Sequence, residues 1–220
     1  MPKTARSDVY VAKAGSDETG NGSETAPYLT IQKAVNSIGR ILDMPVRLHI
    51  AAGTYDEAVL IASIAGCRLS IICAQTGDGT PAVHVKSVAI FYCDSPIKIS
   101  DMEVYAQTID RSAVYISNCT FVDLYKVVCT EAVDAENDKG AIFALFTPSV
   151  YLRICTISNQ SCAVHAVGSI VYIDAGTTGE NNTVSLRSGS GSGSAGTIIL
   201  KGRSTIAGAT EIKEYGGQIF

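Results

Sequence analysis

From Leu48 onward, apolar residues recur in pairs separated by one position: Leu48/Ile50, Leu69/Ile71, Ile97/Ile99, Val122/Leu124, Val150/Leu152, Val171/Ile173 and Ile198/Leu200. Such alternation marks a strand that buries one face. The first members of the pairs lie 21, 28, 25, 28, 21 and 27 residues apart. Periods in the twenties match one turn of a parallel β-solenoid. No coil of a solenoid can bury its face alone, so several must stack. A second apolar set, Leu60, Val88, Ala113, Ala141 and Ala163, precedes the following pair by eight or nine residues. Each coil therefore carries at least two aligned strands, for example 141–145 and then 149–152. Met102 and Cys155 occupy matching places after Ile99 and Leu152, which predicts a sulfur column in the core.

The N-terminal part has a different period. A strand at Val9 is followed by a loop, 15–22, too rich in turn formers for regular structure. After Pro27, apolar residues fall at Tyr28, Ile31, Ala34, Val35 and Ile38, the spacing of a helix. Thr30 is its expected N-cap and Gly39 its stop, with Ile41 and Leu42 as an alternative continuation. A short helix with one apolar face can plug the open end of a stacked core. The chain then divides into an N-terminal strand, loop and capping helix (1–45), coils (46–206) and a tail (207–220). Segment 130–139 is predicted as an acidic projecting loop, and the Gly/Ser run within 187–196 as a flexible one. The tail ends on Ile219 and Phe220, apolar residues that either cover the last coil or join a neighbouring subunit.

Composition narrows the class. At 220 residues, 46% hydrophobic and 17% charged, the chain suits one domain with a large core. A net charge of −4 argues against a nucleic-acid partner. No stretch reaches the length of a membrane span, so no membrane contact is expected. The first eight residues hold no apolar signal core, which predicts synthesis in a cytoplasm without a signal peptide. Seven cysteines, with no CxxC pair and no metal-type spacing, read as reduced, small apolar core residues. A zinc or disulfide framework is the lesser alternative.

Several stretches resemble a known family. Residues 10–17, Asn21-Gly22 and 26–35, followed by Ala51-Ala52-Gly53-Thr54-Tyr55, resemble the opening of pectin-lyase-like right-handed parallel β-helix proteins. Segments 116–121 and 139–143 are similar to that family's repeat units, and the likeness extends over most of 9–175. It implies an all-β, single-stranded right-handed parallel β-helix of about seven coils with a short N-terminal capping helix. The fold carries lyases, hydrolases, adhesins and phage tailspikes, so it does not fix an activity. The Arg-x-x-Pro-x-x-Arg arrangement of pectate lyases is absent. The size and the Gly/Ser-rich end look more like the phage tailspike or virion-associated type. The resemblance thus implies a non-enzymatic binding or structural module of a phage-like particle, in its tail or a surface appendage. Its partner would be a surface polysaccharide or another virion protein, and a homo-oligomer is expected, with a trimer favoured. The alternative is a polysaccharide lyase or glycoside hydrolase acting on an acidic or capsular polysaccharide.

Candidate chemistry follows from the strand phase. Residues between the inward ones point out: His49, Ser70, Lys98, Asp123, Tyr151, Tyr172 and Ile199 form one row. Ala51, Ile72 (or Cys73), Ser100, Tyr125, Arg153, Asp174 and Lys201 form the next. With coils about 4.8 Å apart, Asp123, Tyr125, Tyr151, Arg153, Tyr172 and Asp174 form one patch, three coils long. Rings with interspersed carboxylate and guanidinium groups suit a saccharide ligand. The same patch also reads as a solvated wall steadied by cross-strand pairs, or as a subunit contact. Paired carboxylates for glycoside chemistry could come from Asp101, Glu103 and Asp123, or from Asp134, Glu136 and Asp138. His49, His84 and His165 are scattered and read as structural. Asp17, Glu18 and Asn21 could ligate Ca²⁺, though a turn explains them as well. No metal and no cofactor is expected.

Overall fold

A computed structural model describes residues 7–105, 112–130, 140–189, 194–201, 205–213 and 216–220. The chain is a parallel β-solenoid of about five turns with one short helix. The first wall is a nine-stranded parallel sheet in chain order: Asp8–Val11, Val46–Ile50, Leu69–Cys73, Ile97–Ser100, Val122–Tyr125, Val150–Arg153, Ile170–Asp174, Thr197–Lys201 and Gln218–Ile219. The seven strands expected from the apolar pairs are seven consecutive members of it. The turns number about five, fewer than the seven coils expected from the sequence. The wall also runs past residues 46 and 206, the expected domain boundaries, because Asp8–Val11 and Gln218–Ile219 both join it. The tail therefore extends the last coil, while Phe220 stays exposed.

The inward columns are aliphatic. Leu48, Ile71, Ile99, Leu124, Leu152 and Ile173 stand in register and are buried. The first pairing differs from the expectation by two residues: Leu48 opposes Ile71, not Leu69. Both strands bury three alternate residues, Val46/Leu48/Ile50 and Leu69/Ile71/Cys73, so a pair alone does not fix the register.

The rest of each coil forms a second sheet. Gly53–Ala62, Val83–Phe91, Thr178–Ser188 and Thr205–Lys213 are long strands; elsewhere two shorter strands replace them. Val59, Val88, Val114, Ile142, Val164 and Leu186 make its inward column. Leu60, of the second apolar set, is exposed. The run Ala58-Val59-Leu60-Ile61-Ala62 is apolar throughout, so alternation could not set its phase.

Corners are built from left-handed residues, one per coil. Ser63, Tyr92, Asn118, Phe146 and Gly168 (φ 57°, 52°, 54°, 47° and 58°) stack at one corner. Asp101, Lys126 and Ile154 stack at another. Next to the first column stand Cys93, Cys119, Thr147 and Ser169, each side chain donating to the carbonyl two residues earlier. Thiols and hydroxyls are thus interchangeable corner locks. The expected sulfur column is interrupted: Val127 stands between Met102 and Cys155.

The helix spans Ile31–Ser37 and buries Ile31, Ala34 and Val35. Thr30 caps it by accepting from Lys33 N, and the Glu57 carboxylate accepts from Ile31 N and Gln32 N at 2.8 and 2.9 Å. The helix ends before Gly39, and Ile41–Leu42 form a two-residue strand against Ala65–Gly66 instead of extending it.

All seven cysteines are free, six of them buried and Cys67 half-buried. Burial pushes the thiols of Cys73 and Cys129 up, and that of Cys155 up to about 12. In native thiol titration, Cys67 is expected to react first and Cys73, Cys129 and Cys155 only after denaturation. Rapid labelling of Cys119, Cys129 and Cys155 alike would contradict this packing.

Candidate functional site

With Val122, Leu124, Val150, Leu152, Val171 and Ile173 inward, the residues between and after them must face outward. Asp123, Tyr151 and Tyr172 stand directly opposite one another in successive coils. Tyr125 opposes Arg153 in the next row. Together with Phe121, five of the six expected residues (Asp123, Tyr151, Arg153, Tyr172 and Asp174) line a groove of about 420 Å³. Tyr125 stands beside that lining.

The groove has two chemical parts. In the first, the Tyr151 and Tyr172 rings stack at 4.6 Å and 16°, and Phe121 packs on Tyr151 at 5.4 Å. Each tyrosine covers one face of the other, and Ile199 stands opposite Tyr172 in the next strand. In the second, Arg153 Nε donates to Asp123 Oδ1 at 2.9 Å and its Nη2 to Oδ2, a bidentate pair. Asp123 is 8% exposed. Its hydrogen bonds, and then its charge with that of Asp174, hold the Arg153 pKa above the ordinary arginine value. Arg153 also lies 5.4 Å from the Tyr125 ring centre, with Lys98 Nζ at 5.3 Å and Lys126 Nζ at 5.8 Å.

The upper rows differ from the expectation. Arg47, not His49, opposes Ser70, and His49 joins the second row opposite Ile72 in place of Ala51. His49 stacks on Tyr10 at 4.8 Å and bonds Asp8 at 2.8 Å.

The three weak catalytic candidates do not converge. Asp123 faces outward on the first wall and is held by Arg153. Asp101 sits at a corner, 6% exposed, and accepts from Gln75 Nε2. Glu103 is on the second sheet, paired with His84 Nδ1 at 2.7 Å. Asp134, Glu136 and Asp138 lie outside the described residues. His165 is buried, with Nε2 at 2.7 Å from the Gly189 carbonyl. The Ca²⁺ alternative meets engaged side chains. Asp17 accepts from Leu29 N, Thr30 N and Thr30 Oγ1, and Asn21 Oδ1 accepts from Ser23 N. Although desolvation opposes it, the Thr30 and Leu29 hydrogen bonds hold the Asp17 pKa down. Among the described residues, no three His, Cys, Asp or Glu side chains are grouped to hold a metal ion.

Sequence reasoning missed Phe121 and Lys126. Each borders a strand of the apolar pattern and falls outside the in/out alternation that located the others. It also missed a larger groove of about 560 Å³ between the helix and the first wall, lined by Val9, Tyr28, Asn36, Ile38, Leu42 and Met44 among others. A second outward column, Tyr115, Phe143 and His165, is buried, with rings 5.2 and 5.0 Å apart.

Among the described residues no helix is long and apolar enough to cross a membrane. No family model matches the chain, and no solved structure matches it. A protein of Dictyostelium discoideum, described as transmembrane domain-containing, is 38% identical over 64 residues, which is 29% of this chain. The chain spans 4% of that relative's length.

Proposed function

We propose that the chain is a non-enzymatic binding module whose first-wall groove contacts a surface glycan, borne on a phage-like particle as the family resemblance implies. One observation carries the reading: Phe121, Asp123, Tyr151, Arg153, Tyr172 and Asp174 line a single groove, while Asp101 and Glu103, the other two catalytic candidates, are not part of its lining. The volume falls in the range of small-ligand sites, roughly 300–1,000 Å³. The partly exposed ring of Tyr172 suits the C–H face of a sugar, and the exposed Asp174 carboxylate can accept from hydroxyls.

A glycan array tests the reading, with a reducing-end assay run beside it. Tyr172→Ala is expected to weaken binding by about 1–3 kcal/mol with little change in melting temperature. Tyr151→Ala weakens it similarly and also loses contacts with two neighbouring rings. A fall in oligomer mass in light scattering, without loss of glycan binding, would make the groove a subunit contact. Release of soluble oligosaccharide, abolished by Asp123→Asn, would favour the polysaccharide lyase or hydrolase. No response in either assay would reduce the patch to a solvated wall.

A further inference from the structure

We propose that Cys93 and Cys119 are a redox pair, which a peroxide converts to a disulfide that clamps two successive coils together. The two residues hold one position of the repeat. Tyr92 N donates to Ser117 O and Thr120 N to Cys93 O, both at 3.0 Å, so Cys93 and Cys119 stand side by side on adjoining coils. Their thiols are hydrogen-bonded to one another. Coils about 4.8 Å apart put the Cα atoms within the roughly 4.4–6.8 Å that a disulfide spans. The Cβ atoms must close by a few tenths of an ångström to come within the usual limit of about 4.5 Å. Cys73, Cys129, Cys155 and Cys162 stand against Ile50, Ile157, Thr177 and Val184 instead.

The corner itself does not require sulfur. Thr147 and Ser169 continue the same column, and their hydroxyls make the same bond to the carbonyl two residues earlier. What two adjoining thiols add is the capacity for a covalent bond. Their mutual hydrogen bond also eases loss of the first proton: it holds the Cys93 thiol down to about 7 and pushes that of Cys119 up. Cys93 is buried, but its neighbour in the chain, Tyr92, is 65% exposed at the corner. A small oxidant therefore has only the corner to pass. The Cys93 thiolate attacks one peroxide oxygen and the O–O bond breaks. A sulfenic acid forms, and the departing hydroxide takes up the proton that Cys93 had lost. The Cys119 sulfur then displaces the sulfenic hydroxyl, which leaves as water with the Cys119 proton. Two thiols give up two electrons and two protons, and one peroxide becomes two waters. A dithiol reverses the bond by exchange. The bridge closes the chain between 93 and 119, which constrains the unfolded state and stabilises the fold.

The test treats the folded protein with hydrogen peroxide at neutral pH, blocks the remaining thiols and maps the cysteines by mass spectrometry. Cys119→Ser and Cys67→Ser are treated beside the wild type. The expected product is an intramolecular Cys93–Cys119 bridge, with an intact mass lower by two hydrogen atoms. Its urea midpoint should lie above that of the reduced protein, and dithiothreitol should return it. Cys119→Ser, whose hydroxyl can lock the corner as that of Ser169 does, should unfold cooperatively and gain nothing from peroxide. Cys67→Ser, which removes the one thiol that is not buried, should keep the gain. Cys93 and Cys119 both free in folded wild type after Cys67 has been oxidised would overturn the proposal. So would sulfinic or sulfonic acid at either position without a bridge, or a bridge that forms only in urea. A bridge that leaves the midpoint unchanged would overturn the clamp.

Discussion

Leu152→Asp is expected to abolish folding. Leu152 is 0% exposed and stands between Leu124 and Ile173 in the column that begins at Leu48. An aspartate there loses the apolar contacts, worth about 2–5 kcal/mol for a buried leucine cut to alanine. It also places a carboxylate in a dry stack with no cation facing it, which costs several kcal/mol more even if the group takes up a proton. Together these approach the whole stability of a domain, about 5–15 kcal/mol. The circular dichroism of Leu152→Asp should lack a cooperative urea transition, while Leu152→Ala keeps one at a lower midpoint. A native-like transition in Leu152→Asp would mean that the strand does not face inward.

The second large effect is expected from Gly179→Ala. A Cβ built at Gly179 would lie 1.9 Å from the Ile157 carbonyl oxygen and 2.8 Å from its carbon. Those are backbone atoms of the adjoining coil, so no rotamer change relieves the clash and the coils must separate locally. Overpacking of this kind costs about 1–3 kcal/mol, and more where the backbone cannot yield. Gly77→Ala is the matched control, since nothing lies within 4 Å of the added carbon there. Urea midpoints should place Gly179→Ala well below the wild type and Gly77→Ala beside it. Equal midpoints would contradict the close stacking of these coils.

The sequence made some features legible and concealed others for identifiable reasons. The columns through Ile99, Leu124, Leu152 and Ile173 could be read because polar or aromatic residues separate the apolar ones and set the phase. That phase also located Asp123, Tyr151 and Tyr172 on one line. Where every residue is apolar, as at 58–62, it failed. The corners were hidden because Tyr92, Phe146 and Ile154 hold positive φ without being the glycine or asparagine such positions favour. Neighbouring coils fix these turns through backbone hydrogen bonds, a constraint absent from local sequence. The burial of Tyr115 and Phe143 on an outward column could not be foreseen from alternation, which gives direction but not what lies above a wall.

The central claim is that the first-wall groove is where a glycan is held. The most direct measurement is side-chain NMR during titration with the glycan selected on the array. The account predicts shifts concentrated on Tyr151, Arg153 and Tyr172, fading toward Arg47 at the far end of the same wall, with no new reducing ends formed. Shifts confined to the second sheet or to the groove beside the helix, with Tyr151, Arg153 and Tyr172 unmoved, would contradict it.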